Sequence, residues 1–198
     1  EIISAIAQEF YTDNGTYYEL MGYDPHKILK KRFDYLNSIY YLDEVKKIRN
    51  KNDNFEIRYN KNLKVSINNN EKQIRIFKNN EKDQIFFSGK KMSDWTIKLF
   101  ELKDQETKRN NKKFITKYNI SGCVNIFDLF VENINIEILD SKCEDAINFK
   151  RVKGSINKIE IYNSKYDAVD FDYSNLKINN AFIQKAKNDC MDFSKGTY

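Results

Sequence analysis

Three near-copies of one pentapeptide, DAINF at Asp145, DAVDF at Asp167 and DCMDF at Asp189, stand 22 residues apart in this chain of 198 residues. A helix face or a hairpin has no reason to repeat at that distance, whereas stacked repeat architectures do. A weaker fourth copy, GCVNI at Gly122–Ile126, aligns upstream at a spacing of 23. Four columns then appear. The first is small (Cys123, Ala146, Ala168, Cys190) and the second apolar (Val124, Ile147, Val169, Met191). The third is an amide or acid (Asn125, Asn148, Asp170, Asp192) and the fourth is large and apolar (Ile126, Phe149, Phe171, Phe193). Such column order makes each copy the same strand of a stacked repeat.

The segments between copies agree. INIEILDSK, INKIEIYNSK and INNAFIQKAK alternate apolar and polar residues, as half-buried strands do. Turn-prone KRVKGS and DYSNLK precede the last two. The chain is therefore read as all-β, a parallel β-helix of about 22 residues per coil over 53–198, most regular over 121–198. Parallel stacking sets equivalent residues about 4.8 Å apart, so phenylalanines form a ladder inside the coil. Upstream, NFEIRYN, LKVSIN, KQIRIFK, DQIFFSG and WTIKLFEL alternate likewise and are expected to be earlier, less regular coils. The run Lys103–Lys113 reads as an exposed or disordered excursion.

Residues 1–52 have helical spacing instead. Asp24 is a suitable N-cap before Pro25, and Ile28, Leu29, Phe33, Leu36 and Tyr40 share one face. The expectation is an N-terminal α-helical cap over the open end of the solenoid, packed through Tyr17, Tyr18, Tyr35, Tyr40 and Tyr41. The alternative is that these tyrosines form a stacking surface for sugars or bases.

The stretch CEDAINFKRVKGSINKIEIYNSKYDAVDFDYSNLKINNAFIQKAKNDCMDFSKG resembles the right-handed parallel β-helix modules of bacterial proteins, some of them associated with CotH-type kinase domains or other surface proteins. The resemblance covers roughly Ser121–Gly196. It implies right-handed coils and a cell-surface or extracellular setting, and it implies no particular activity.

Composition narrows the function. The net charge of +5 is mild, and no run of about 18 apolar residues is present, so no membrane span is expected. His26 is the sole histidine, which removes Ser-His-Asp and Cys-His sites built elsewhere. Cys123, Cys143 and Cys190 are odd in number and widely spaced, so free and mostly buried thiols are expected rather than a disulfide framework or a zinc knuckle. The chain starts at Glu1 without Met, as a processed or trimmed piece would. It stops soon after the last copy, so further coils or another protein chain are expected to cover the C-terminal coil.

The third column carries the functional expectation. With the second and fourth columns inward, Asn125, Asn148, Asp170 and Asp192 would face solvent as a strip for a polysaccharide, preferably a neutral or amino-sugar glycan. The leading reading is a non-catalytic scaffold or glycan-recognition module without a cofactor. In the alternative, Asp170 and Asp192 are the paired carboxylates of a polysaccharide hydrolase or lyase. YDAVD and NDCMD faintly resemble polygalacturonase acid motifs, but that family's Gly-His-Gly and Arg-Ile-Lys segments are absent. Asp145, Asp167 and Asp189 form a second acid column, expected to accept turn N–H groups or, alternatively, to bind Ca²⁺. Nucleic acid ranks third. Residues 61–120 hold 15 Lys/Arg against 7 Asp/Glu, and much of that excess sits in corners and in the Lys103–Lys113 run.

Overall fold

A computed structural model describes residues 45–50, 52–78, 80, 83–101 and 121–198. The N-terminal helical cap, its tyrosines, His26 and the Lys103–Lys113 run lie outside the described residues. These contain thirteen strands and no helix. They form a solenoid of about four stacked coils.

The first coil holds β5 (Ile85–Gly89), β6 (Lys91–Ser93) and β7 (Thr96–Glu101). The second holds β8 (Gly122–Phe127) and β9 (Phe130–Ile138), and the third β10 (Asp145–Lys150) and β11 (Lys153–Ser164). A single bent strand, β12 (Asp167–Ala186), makes the fourth, and β13 (Met191–Thr197) begins another. One wall runs β5–β8–β10–β12–β13 and the other β7–β9–β11–β12, every pair parallel. The register is the column alignment itself. Asn148 pairs with Asp170 and Asn125, Phe149 with Phe171 and Ile126, and Phe171 with Phe193.

The core follows from alternation along these strands. Val124, Ile147 and Val169, with Phe149 and Phe171, are fully buried, as are Ile136, Ile159 and Ile161 of the second wall. Rings of Phe149 and Phe171 stack at 5.2 Å, and those of Phe171 and Phe193 at 5.0 Å. From the second coil on, the chain leaves the first wall through a residue in the left-handed region: Asp128 (φ 50°), Arg151 (53°), Tyr173 (51°) and Lys195 (41°). This kink redirects the chain within one residue. Gly154 (φ 119°) follows in the third coil, where a Cβ would meet the Val131 carbonyl oxygen at 1.8 Å.

The expected earlier coils are only partly coils. β4 (Gln73–Lys78) does stack parallel on β7. However, β1 (Val45–Asn50) and β2 (Phe55–Asn60) form an antiparallel hairpin, with β2 antiparallel to β5. β3 (Lys64–Asn68) likewise pairs antiparallel with β4. The connections β1–β2 and β3–β4 are hairpin turns. Asn50 Oδ1 accepts the N–H groups of Asn52 and Asp53, and Asn68 Oδ1 those of Asn70 and Glu71. An Asn side chain closing on the backbone two and three residues ahead makes a tight reversal. A parallel crossover needs a much longer connection.

Candidate functional site

The third column lies on the side of the first wall opposite the phenylalanine ladder, as alternation requires. Its exposure differs along the stack. Asn125 is 0% and Asn148 4% exposed, Asp170 is half-buried, and Asp192 is exposed. The small column behaves alike, with Cys123, Ala146 and Ala168 buried and Cys190 exposed. The expected accessible strip is therefore open only at Asp170 and Asp192. Period-2 alternation fixes which side a residue takes, and says nothing about what lies against that side.

The column is internally hydrogen-bonded. Asn125 Nδ2 donates to the carbonyls of Gly122 (2.7 Å) and Ile85 (3.2 Å), and Asn148 Nδ2 donates to Asp170 Oδ2. Gly122 is what makes room: a Cβ there would lie 2.6 Å from Asn125 Oδ1. One position along, Lys150 donates to Asp172 at 3.1 Å. Burial, then the charges of Asp172, Asp145 and Asp192, push Asp170 up to about 7, with Lys150 opposing. Asp170 and Asp192 are paired in register on adjacent strands. One is thus a near-neutral acid and the other an exposed carboxyl.

The second acid column divides. Asp167 Oδ1 accepts the N–H of Asp189 (2.9 Å) and Asn188 Nδ2 (2.5 Å), the turn role expected of this column. Asp145 is 3% exposed, and its Oδ2 has no partner. Burial chiefly, with Asp167, Glu144 and Asp172 adding, pushes Asp145 up to about 7 against a hydrogen bond from Ser121. Among the described residues, no group of three or more His, Cys, Asp or Glu side chains is placed to hold a metal ion.

The cysteines overturn their expectation. Cys123 and Cys143 form a disulfide, both 1–2% exposed, and Cys190 is the free, exposed one. Their separation of 20 residues is close to one coil, so the solenoid returns the chain to Cys123 when it reaches Cys143.

One buried cluster escaped the sequence reading. Lys78 and Glu101 pair in register at the inward phase of β4 and β7, their charged atoms 3.6 Å apart and side chains 1% and 2% exposed. Glu101 Oε2 also accepts the Lys142 N–H at 2.8 Å. Burial lowers the Lys78 pKa against Glu101 and Asp83, and burial raises that of Glu101 against Lys78. The signal was present: QIRIFK and TIKLFE both end on a charge at the phase of their isoleucines.

Part of the basic middle of the chain is paired with carboxylates where described. Lys91 pairs with Glu132 at 2.7 Å and Lys98 with Glu137 at 2.5 Å. A separate apolar depression, lined by Ile48, Phe55, Ile57, Val65 and Ile67, lies between the two hairpins, away from the acid columns. No helix among the described residues is long and apolar enough to cross a membrane. No protein-family model, curated protein or solved structure matches the chain.

Proposed function

We propose that the chain is a non-catalytic β-solenoid module of a larger protein, serving as a scaffold that recognises glycan at its C-terminal coils. The observation that carries this is the gradient of exposure along the third column. Asn125 and Asn148 hold the row from within, while Asp170 and Asp192 offer carboxyl oxygens to sugar hydroxyls. The coils would be right-handed, as in the bacterial surface modules that the sequence resembles. The buried Cys123–Cys143 disulfide supports an oxidising, extracytoplasmic setting.

Polysaccharide cleavage is the second reading, and one observation favours it: Asp170, pushed up to about 7 chiefly by burial, lies in register with the exposed Asp192, and a carboxyl raised in this way suits a general acid. A glycan array with wild type and the Asp170→Ala/Asp192→Ala double variant tests both. Retention without product, lost in the variant, is the expected result. Release of new reducing ends or unsaturated sugars would establish the second reading. Glycan retention unchanged by the double variant, or no binding at millimolar glycan, would leave a purely structural solenoid.

A further inference from the structure

Two buried oxygens of the third column lack a donor, Asn125 Oδ1 and Asn148 Oδ1. In each case the nitrogen of the same amide is engaged on the far side. Asn125 Nδ2 donates to Ile85 of β5 and to Gly122, which leaves Asn125 Oδ1 on the side of β10. Asn148 Nδ2 donates to Asp170 of β12, which leaves Asn148 Oδ1 on the side of β8. Asn125 and Asn148 are register partners on β8 and β10, so the two partnerless acceptor oxygens belong to neighbouring side chains of one strand pair. Buried acceptors without donors are rare in folded proteins, because each has given up its water without replacement.

A single exchange supplies both. We infer that the Asn148 amide takes the opposite orientation when Asp170 carries a proton, closing one hydrogen-bond ladder across four strands. The Asp170 hydroxyl donates to Asn148 Oδ1, Asn148 Nδ2 donates to Asn125 Oδ1, and Asn125 Nδ2 donates to the carbonyls of Ile85 and Gly122. The two ends of a carboxamide fill the same volume, so the exchange moves no backbone. An ionised Asp170 has no hydrogen to give, so its ionisation forces the amide back and strands both oxygens again. The ladder is a proton-operated latch between β12 and the coils beneath it.

The surroundings of Asp170 favour the protonated form. Asp145 and Lys150 face it from β10, Asp172 from its own strand and Asp192 from β13. Three carboxyls thus oppose one ammonium, and that ammonium is committed to Asp172. Burial acts in the same direction and is the larger effect, holding the group up to about 7.

Carbon-13 NMR of the aspartate carboxyls in the full chain tests the latch. Wild type should show a carboxyl with a midpoint near 7 that disappears in Asp170→Asn, with the Asp145 signal assigned by Asp145→Asn. Asn148→Ala removes the acceptor for the Asp170 proton, and the Asp170 midpoint should fall by about one pH unit. A midpoint that stays put in Asn148→Ala would mean that burial alone holds the proton, and the latch would be wrong. An Asp170 already ionised at pH 6 would overturn it outright. Should Asn148→Ala fail to fold, wild type decides: below pH 6 the Asn148 amide protons should show through-space contacts to the Asn125 side chain. Contacts to Asp170 instead would overturn the proposal.

Discussion

Phe149 and Phe171, 22 residues apart in sequence, stack ring on ring with planes 11° from parallel, and both are fully buried. Phe171 also stacks on Phe193, so it fills the middle of a three-ring column. Phe171→Ala should leave a cavity within that column and cost about 3–5 kcal/mol. Asp172→Ala, which removes a partly exposed pairing with Lys150, should cost about 1 kcal/mol or less. Urea unfolding of the two variants checks this. Equal losses would contradict the inward assignment of the fourth column.

The Cys123–Cys143 disulfide closes a loop of about one coil. Its removal by Cys123→Ser/Cys143→Ser should destabilise the chain by about 3 kcal/mol through the freedom returned to the unfolded state. Native protein should react with one equivalent of a thiol reagent, at Cys190, and unfolded unreduced protein should react with no more. Three reactive thiols after unfolding without reductant would show that the bridge does not form.

Lys78 and Glu101 lie where Ile74–Ile97 and Ile76–Leu99 continue the inner ladder. Removing one partner strands a buried charge, so Lys78→Met alone should cost about 3–5 kcal/mol. The double variant Lys78→Met/Glu101→Leu should recover most of that loss, because an apolar pair fits the row without desolvating ions. Thermal melts of wild type, both single variants and the double decide it. A double variant no better than the worse single would show that the pair is structurally required.

Stability should fall as pH rises from about 4 to about 7. Asp145 has an ordinary value of 3.8 and is raised to about 7 in the fold, mainly by burial. Between those values the folded chain binds a proton that the unfolded chain has lost, so stability decreases with pH there and is flat above. Asp170, raised over the same range, contributes alike, so Asp145→Asn should reduce the slope of melting temperature against pH between 4.5 and 7.5 and Asp145→Asn/Asp170→Asn should flatten it. A wild-type profile that rises with pH across this window would contradict the sign.

How much of this was legible depended on which physical signal each feature leaves. The columns were readable because a parallel stack pairs equals with equals, and the Asn148–Asp170 and Phe149–Phe171 register follows from counting. The two hairpins were not, since FEIRYN and LKVSIN alternate as any half-buried strand does, whichever way the neighbour runs. Asn50 and Asn68, which close the hairpin turns, were the overlooked clue. The disulfide was missed by treating 20 residues as a wide spacing, which it is along the chain and is not around a coil. The burial of Asn125 and Asn148 leaves no local trace at all.

The corners of the first wall carry a different implication. Asp128, Arg151, Tyr173 and Lys195 share one backbone bend, yet they are an acid, a base, an aromatic and a second base. Arg151 grips Asp128 through two bonds of 2.6 and 2.8 Å, while the Lys195 ammonium sits 5.6 Å from the centre of the Tyr173 ring. What the bend needs is a torsion angle, and each residue meets that need with different chemistry. This edge of the solenoid is consequently a display rail, where mutation can change what the molecule shows to its surroundings while the stacking that holds it together goes unaltered.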